Sequence, residues 1–214
     1  MQQMEQGSTF SGLKWKLYTA SERNVPSSFF LFETTVQAEQ YAAYIKKQAA
    51  SISKMLRFTV ESFGVLETMS RLTRASIDTP PNSSTAVNTP VEGREQIILL
   101  QVFFKIPRLA SCLSVSAMDR LYPKKAAYHL LTLPGLIWKI WGTKEGSNEV
   151  SGFYLFDSRE HVNMRIAHVM EAFPQKPWIS DLRCETFLVD QERSRKGGAP
   201  IDLPSTEILA MQQK

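Results

Sequence analysis

The sequence predicts an α+β fold: tandem ferredoxin-like repeats that together form a pseudo-dimeric α/β barrel, the first repeat lacking its opening strand and helix. One observation is an echo, Gly12-Leu13-Lys14-Trp15-Lys16-Leu17-Tyr18 returning as Gly135-Leu136-Ile137-Trp138-Lys139-Ile140-Trp141. The other is its registration. The two glycines lie 123 positions apart, whereas Phe32 and Phe156, like Phe63 and Phe187, lie 124 apart. One residue inserted in a hairpin loop accounts for the difference, and a constant offset beyond it is the mark of an internal duplication.

Each element follows from its local pattern. Leu13 to Tyr18 alternates bulky apolar with basic residues, as a strand with two unlike faces does. A loop with Ser21, Asn24 and Pro26 leads to a second strand at Phe29 to Phe32, close enough for an antiparallel hairpin. Thr34 or Thr35 caps a helix whose Val36, Ala38, Tyr41, Ala42 and Ile45 share one side, and Phe58 to Val65 alternates as a third strand. From Asp78 to Gly93 the composition turns to Pro, Ser, Thr and Asn, a linker. Ile97 to Ile106 is an apolar, centrally placed strand ended by Pro107. Leu109, Leu113, Ala117 and Leu121 fit a helix, with a shorter one from Ala126 to Leu131. After the turn at Leu133-Pro134-Gly135 the first segment replays: the Trp-Lys strand, Phe153 to Phe156, a Ser158-capped helix with Val162, Ile166, Val169 and Phe173 inward, and a strand from Leu182 to Val189. The organisation is a truncated repeat at 12–78, a linker at 79–95, a complete repeat at 96–192 and a polar tail at 193–214.

Composition bounds the function. With 214 residues and 43% hydrophobic content there is material for a real core. Net charge is only +4 and the cations are scattered except in Arg193-Ser194-Arg195-Lys196, which reads as a solvated tail, so no nucleic-acid partner is expected. Cys112 and Cys184 lack CxxC spacing and read as buried free thiols of a reducing compartment. Met1 to Gly7 has no apolar signal-peptide core and the strongest apolar run is strand-length, so the expectation is a cytoplasmic protein without a membrane partner.

The tract Gly135 to Trp141, then Gly152-Phe153-Tyr154-Leu155-Phe156-Asp157 and Cys184-Glu185-Thr186-Phe187-Leu188-Val189, resembles the YdhR-type monooxygenase family of the dimeric α/β-barrel superfamily. Ile98 to Phe104 is similar to that family's opening strand. The N-terminal copy resembles it through Leu13 to Tyr18, Phe30 to Phe32, and Val60 to Phe63 running into Met69 to Arg74. The resemblance covers roughly residues 12–78 and 96–192. It implies a barrel enclosing a ligand and, by superfamily analogy, an oxygenase.

Strand alternation suggests which side chains line that barrel. Leu13, Trp15 and Leu17, like Leu136, Trp138 and Ile140, form purely apolar faces of the kind helices cover. Lys16 with Tyr18, and Lys139 with Trp141, are then expected inside. Glu61 with Phe63, and Arg183 with Glu185 and Phe187, share that side, as do Gln101, Phe103 and Tyr154. The expected cavity is aromatic-walled with a few charges, suited to a hydrophobic small-molecule substrate. Lys16, Lys139, Glu61 and Glu185 are the candidate catalytic groups, although a structural ion pair explains any one of them equally well.

His129, His161 and His168 lack companions at zinc-ligand spacing, and no Gly-rich phosphate loop, GxSxG elbow, haem, flavin or nicotinamide motif is present. No metal and no cofactor are expected. Three functions fit: cyclisation or isomerisation of an apolar polyketide- or terpenoid-like substrate, pericyclic chemistry included; cofactor-free monooxygenation through a substrate carbanion; and ligand binding without turnover. The first is favoured here because shape and orientation alone can carry it. A homodimer is compatible with all three.

Overall fold

The computed structural model describes residues 11–52, 59–78, 94, 96–107, 113–144 and 146–212. Cys112, Leu109, Phe58 and all of the linker except Arg94 lie outside that set, as does much of the polar N-terminus. The chain runs β1 (Leu13–Ser21), β2 (Pro26–Phe32), α1 (Thr35–Ile52), β3 (Gly64–Val65), α2 (Glu67–Leu72), β4 (Ile98–Lys105), α3 (Val115–Leu121), α4 (Lys124–Leu130), β5 (Leu136–Thr143), β6 (Glu149–Phe156), α5 (Arg159–Ala172), β7 (Ser180–Val189), α6 (Gln191–Lys196) and α7 (Thr206–Gln212). Caps set the helix starts: Ser158 Oγ accepts from His161 N, Ser114 Oγ from Ala117 N, and Thr34 Oγ1 from Gln37 N at 3.3 Å.

The strands of the described residues form one curled antiparallel sheet in the order β2-β1-β7-β4-β6-β5-β3. Within it β7-β4-β6-β5 is the four-stranded arrangement of a ferredoxin-like unit, built from the strand, helix, strand, strand, helix, strand run expected for the second half. The curl is visible in contacts between strands far apart in the order. Trp15 of β1 and Trp138 of β5 lie 6.0 Å apart ring to ring, and Phe29 of β2 reaches Phe153 of β6 at 5.8 Å.

Each face of the sheet carries a buried core. On one, Ile98, Leu100, Val102 and Phe104 of β4 meet Leu136, Trp141, Tyr154, Phe156, Val162 and Val169 beneath the helices. On the other, the inside of the curl, Trp15, Leu17, Leu31, Leu99, Trp138, Ile140, Leu155, Phe187 and Val189 form a second core. This reverses the faces expected for Trp15 and Leu17 in β1 and for Trp138 and Ile140 in β5, whereas Leu136, ahead of an irregularity in the pairing, keeps the helix side. The indoles of Trp15 and Trp138 point into the curl, and Lys139 and Trp141 point to the helices. Apolar parity could not decide the matter because neither side of these strands is left to solvent.

The two hairpins match in detail. Each has a bulge after its first pair, between Leu13 and Trp15 in one and Leu136 and Trp138 in the other, and thereafter Lys16 opposes Phe30 as Lys139 opposes Tyr154. Each opens on a glycine at positive φ, +80° at Gly12 and +66° at Gly135. At Gly135 a side chain is doubly excluded, since a Cβ there would sit 2.0 Å from His161 Nδ1 and 2.2 Å from Asp157 Oδ1.

A reciprocal clasp joins the halves. Gly197 O accepts from Lys16 N at 2.8 Å and Thr73 O from Lys139 N at 3.1 Å. Trp138 Nε1 donates to Pro200 O at 2.9 Å and Trp15 Nε1 to Ser76 O at 3.2 Å. Ser194 Oγ accepts from Tyr18 N and Ser70 Oγ from Trp141 N, at 3.0 and 3.1 Å. The clasping residues in each pair are 124 apart. Ala75 and Ile77, with their counterparts Ala199 and Ile201, then enter the inner core. Residues 194–205 are therefore no solvated tail, since Ser194, Ala199, Ile201 and Ser205 are all buried.

Other expectations change at the margins. The strand placed at 58–65 is reduced, among described residues, to Gly64 and Val65, which pair only with the end of β5. Val36, expected to face inward on α1, is 61% exposed, whereas Ala42 is buried. Among the described residues no helix is long and apolar enough to cross a membrane.

Ile201 tests the clasp, because a residue of a free tail would tolerate truncation. Ile201→Ala should cost about 2–5 kcal/mol in denaturant unfolding, as for a core isoleucine. A change below about 0.5 kcal/mol, typical of surface positions, would contradict the described packing.

Candidate functional site

On the inner side of the sheet Glu61, Gln101, Phe103, Arg183 and Glu185 line one recess of about 50 Å³. Register brings most of them together. Gln101 on β4 stands opposite Glu185 on β7, and Phe103 opposite Arg183. Glu61 comes from the extended stretch ahead of β3, on the far side of the curl. The Arg183 guanidinium sits 4.1 Å above the Phe103 ring, an arrangement that holds a cation in place while leaving its N–H groups available. Gln101 Nε2 donates to Ser151 Oγ at 3.1 Å, and Ser151 is fully buried. That bond turns the carboxamide within its strand and identifies Ser151 as a positioning residue absent from the sequence reading, where a small polar side chain in an apolar strand was the available signal.

The recess holds a few water molecules' worth of space. A spacious aromatic chamber is not present in the described region, because the rings expected to wall it interlock. Phe29 packs against Phe187 at 5.2 Å and Phe63 against Phe153 at 5.6 Å, edge to face. Phe187 and Phe63 thus belong to the packed interior behind the recess.

The remaining expected residues lie on the helix side. Lys139 is 4% exposed, its Nζ 3.0 Å from the centroid of Trp141 and 4.4 Å from that of Tyr154. Gly152 makes the room, since a Cβ there would meet Lys139 Cε at 3.0 Å and Tyr154 Cε2 at 2.8 Å. Trp141 is held by Thr73 Oγ1, which accepts from Nε1 at 3.2 Å, and Tyr154 OH accepts from Arg165 Nη2 at 3.2 Å. Among the described residues no carboxylate pairs with Lys139. Burial, and then the neighbouring Arg165 cation, push the Lys139 amine well below the ordinary lysine value. Lys16 occupies the matching place in the first hairpin, its Nζ 3.9 Å from the Tyr18 centroid and 4.8 Å from that of Phe30. Arg193 covers Tyr18 from the other direction, at 4.4 Å. Neither lysine nor Tyr18, Trp141 or Tyr154 lines the recess, so the cation beside the glutamates is Arg183.

A histidine does have acidic companions. His161 Nδ1 lies 2.7 Å from Asp157 Oδ1 and 2.9 Å from Ser158 Oγ, and its Nε2 lies 3.3 Å from Glu207 Oε2. The three residues could offer ligand atoms within 4.8 Å of one another. The two carboxylates engage opposite edges of the ring, so the imidazole bridges α5 to α7, and one ion could not use both of its nitrogens. Sequence spacing missed Glu207, which is far away along the chain, although Asp157, four residues before His161, stands at helical spacing. Cys184 is a half-buried free thiol whose pKa burial raises.

Residues 99–200 match the family described as putative mono-oxygenase ydhR. That match covers a little under half of the chain. Among solved structures the chain resembles an anthrone oxidase-like protein at 14% identity and a TM-score of 0.50, covering 86% of this chain and 79% of that one. It also resembles a putative monooxygenase from Lactobacillus acidophilus NCFM at 8% identity and a TM-score of 0.47, covering 86% and 80% of the respective chains. A third is a putative monooxygenase from Fusobacterium nucleatum subsp. nucleatum ATCC 25586, at 9% identity and 0.47, covering 84% and 76%. At 14% identity the likeness to the anthrone oxidase-like protein is one of fold. No curated protein matches.

Lys139 gives the site a pH signature. The unfolded lysine titrates near 10.5 and the folded one well below it. Between the two values the unfolded chain binds the extra proton, so stability rises with pH across that window. Lys139→Met should remove this rise and stabilise the protein near neutrality, read as the difference between the two unfolding curves from pH 7 to above 10.5. Parallel curves for both proteins would mean the amine is not buried as described.

Proposed function

We propose that the chain is a cofactor-independent monooxygenase-like enzyme acting on an activated methylene of a mostly apolar small molecule. The observation that carries this is the meeting of two carboxylates, a carboxamide and a guanidinium in the recess of Glu61, Gln101, Arg183 and Glu185. Glu185 or Glu61 removes a proton from carbon, and Arg183 with Gln101 stabilises the negative charge that moves to the adjacent carbonyl oxygen. The carbanion reduces dioxygen and forms a C–O bond. The resulting hydroperoxide loses water to give a ketone, so one oxygen atom stays on carbon and the other leaves as water. The substrate supplies all the electrons. The YdhR match over 99–200 and the oxidase-like name of one structural relative support this class.

Only the reacting end of a substrate fits a 50 Å³ recess, and its apolar body would lie along the open side of the curl. A cyclase would instead need a chamber that folds the whole substrate, and the interlocked rings fill that space. The reciprocal clasp and the matched bulges support reading the chain as two copies of one unit paired as a dimer would be, with the first copy's opening strand and helix missing. In that arrangement Glu61 and Glu185 are counterparts, but the residue 124 positions before Arg183 is Thr59, so the two glutamates are not equivalent.

An anthrone incubated with the protein in air should consume oxygen and yield the quinone. Glu185→Gln or Arg183→Met should lower kcat by about 10²-fold or more, a typical loss for a general base or an oxyanion partner. Unchanged turnover in Glu61→Gln, Glu185→Gln and Arg183→Met, or product formed equally under argon, would defeat the reading.

A further inference from the structure

A second recess, sharing no lining residue with the first, lies where the first clasp meets the C-terminal segment. It encloses about 450 Å³ and is lined by Arg71, Arg74, Ala75, Ser76, Leu203, Pro204 and Leu209 together with Asp78. Its walls are largely apolar, and its two cations differ. Arg71 is neutralised, since its Nε and Nη2 donate to the Asp78 carboxylate at 2.7 and 2.8 Å and Nη2 also to Glu67 at 2.9 Å. Arg74 has no carboxylate partner among the described residues. Its Nη2 donates to Leu136 O at 2.6 Å, while its Nε is buried without a partner.

The backbone marks the same residue. Arg74 has φ +64°, and the residue 124 positions on, at the same point of the second clasp, is Gly198 with φ +72°. Both N–H groups close the same turn, Arg74 N to Arg71 O and Gly198 N to Arg195 O. This conformation costs an L side chain and suits glycine. The first clasp nevertheless carries an arginine there, half-buried, with burial lowering its pKa. Strain of this kind combined with an uncompensated cation points to a ligand that compensates both.

We propose that this groove binds a carboxylate amphiphile, with Arg74 receiving the carboxylate and Leu203, Pro204 and Leu209 receiving the alkyl or aromatic body. The guanidinium offers a forked donor for the anion. Arg71, held between Asp78 and Glu67, closes the polar rim without offering a second uncompensated cation.

The test is titration with decanoate and, separately, decanol at equal chain length, followed by calorimetry and by backbone amide shifts of Ala75, Ser76 and Leu209. Decanoate should bind about tenfold or more tightly than decanol, the contrast expected of a charge-assisted contact. Arg74→Gly should abolish that preference. It should also leave the protein folded and no less stable, because it relieves the positive φ. Arg74→Asn, whose side chain tolerates the left-handed region, serves if the glycine variant does not fold. Equal binding of the alcohol and the acid, or a carboxylate preference that survives in a folded variant, overturns the proposal.

Discussion

The structure depends on the exchange of C-terminal segments between its two hairpins. Each Trp-Lys strand has its own hairpin partner on one side, but part of its other edge bonds to a turn that follows α2 or α6, from the opposite half of the chain. The indoles fix that turn in space, because an N–H buried inside a curled sheet must find an acceptor, and Ser76 O and Pro200 O are the ones supplied. Once these carbonyls are placed, Ile77 and Ile201 fall into the inner core and the curl is held closed from both ends.

Two covered faces explain the interior chemistry. A sheet with helices outside and interlocked rings inside has little room for charge, so the charges that remain are confined to particular places. Arg183 and the two glutamates are exposed residues at the recess. Lys139 and Arg165, both buried on the helix side, are exceptions. Lys139 is buried because Gly152 leaves a slot and two aromatic rings pack on the amine, and burial there lowers its pKa well below the ordinary lysine value.

Much of this was written in the sequence, and the failures have a common origin. The two hairpins and most of the helices are local properties, and they are present near where they were expected. The side from which each residue is reached is not local. Leu13, Trp15 and Leu17 look like a helix-covered face only if the opposite face is assumed to be open, and the sheet's curl removes that assumption. Gln101, Glu185 and Arg183 come together because β4 and β7 pair along nearly their full length, which sets their relative register. The clasp could have been found: Ala75 and Ala199, and Ile77 and Ile201, continue the same offset past the point where the repeat seemed to stop. The His161 bridge could not, since its second carboxylate comes from a helix with no repeat counterpart among the described residues.

The clasp also bears on how the chain reaches this state. The contact of Lys16 with Gly197 joins points 181 residues apart, whereas the hairpins and the Ser158 cap form between near neighbours. Loop closure of that length is entropically costly and is rewarded only after both hairpins exist. Neither half can complete its own Trp-Lys strand, so the halves gain their last stabilisation together. A chain arrested before residue 197 would hold one finished clasp and one strand edge waiting for its partner.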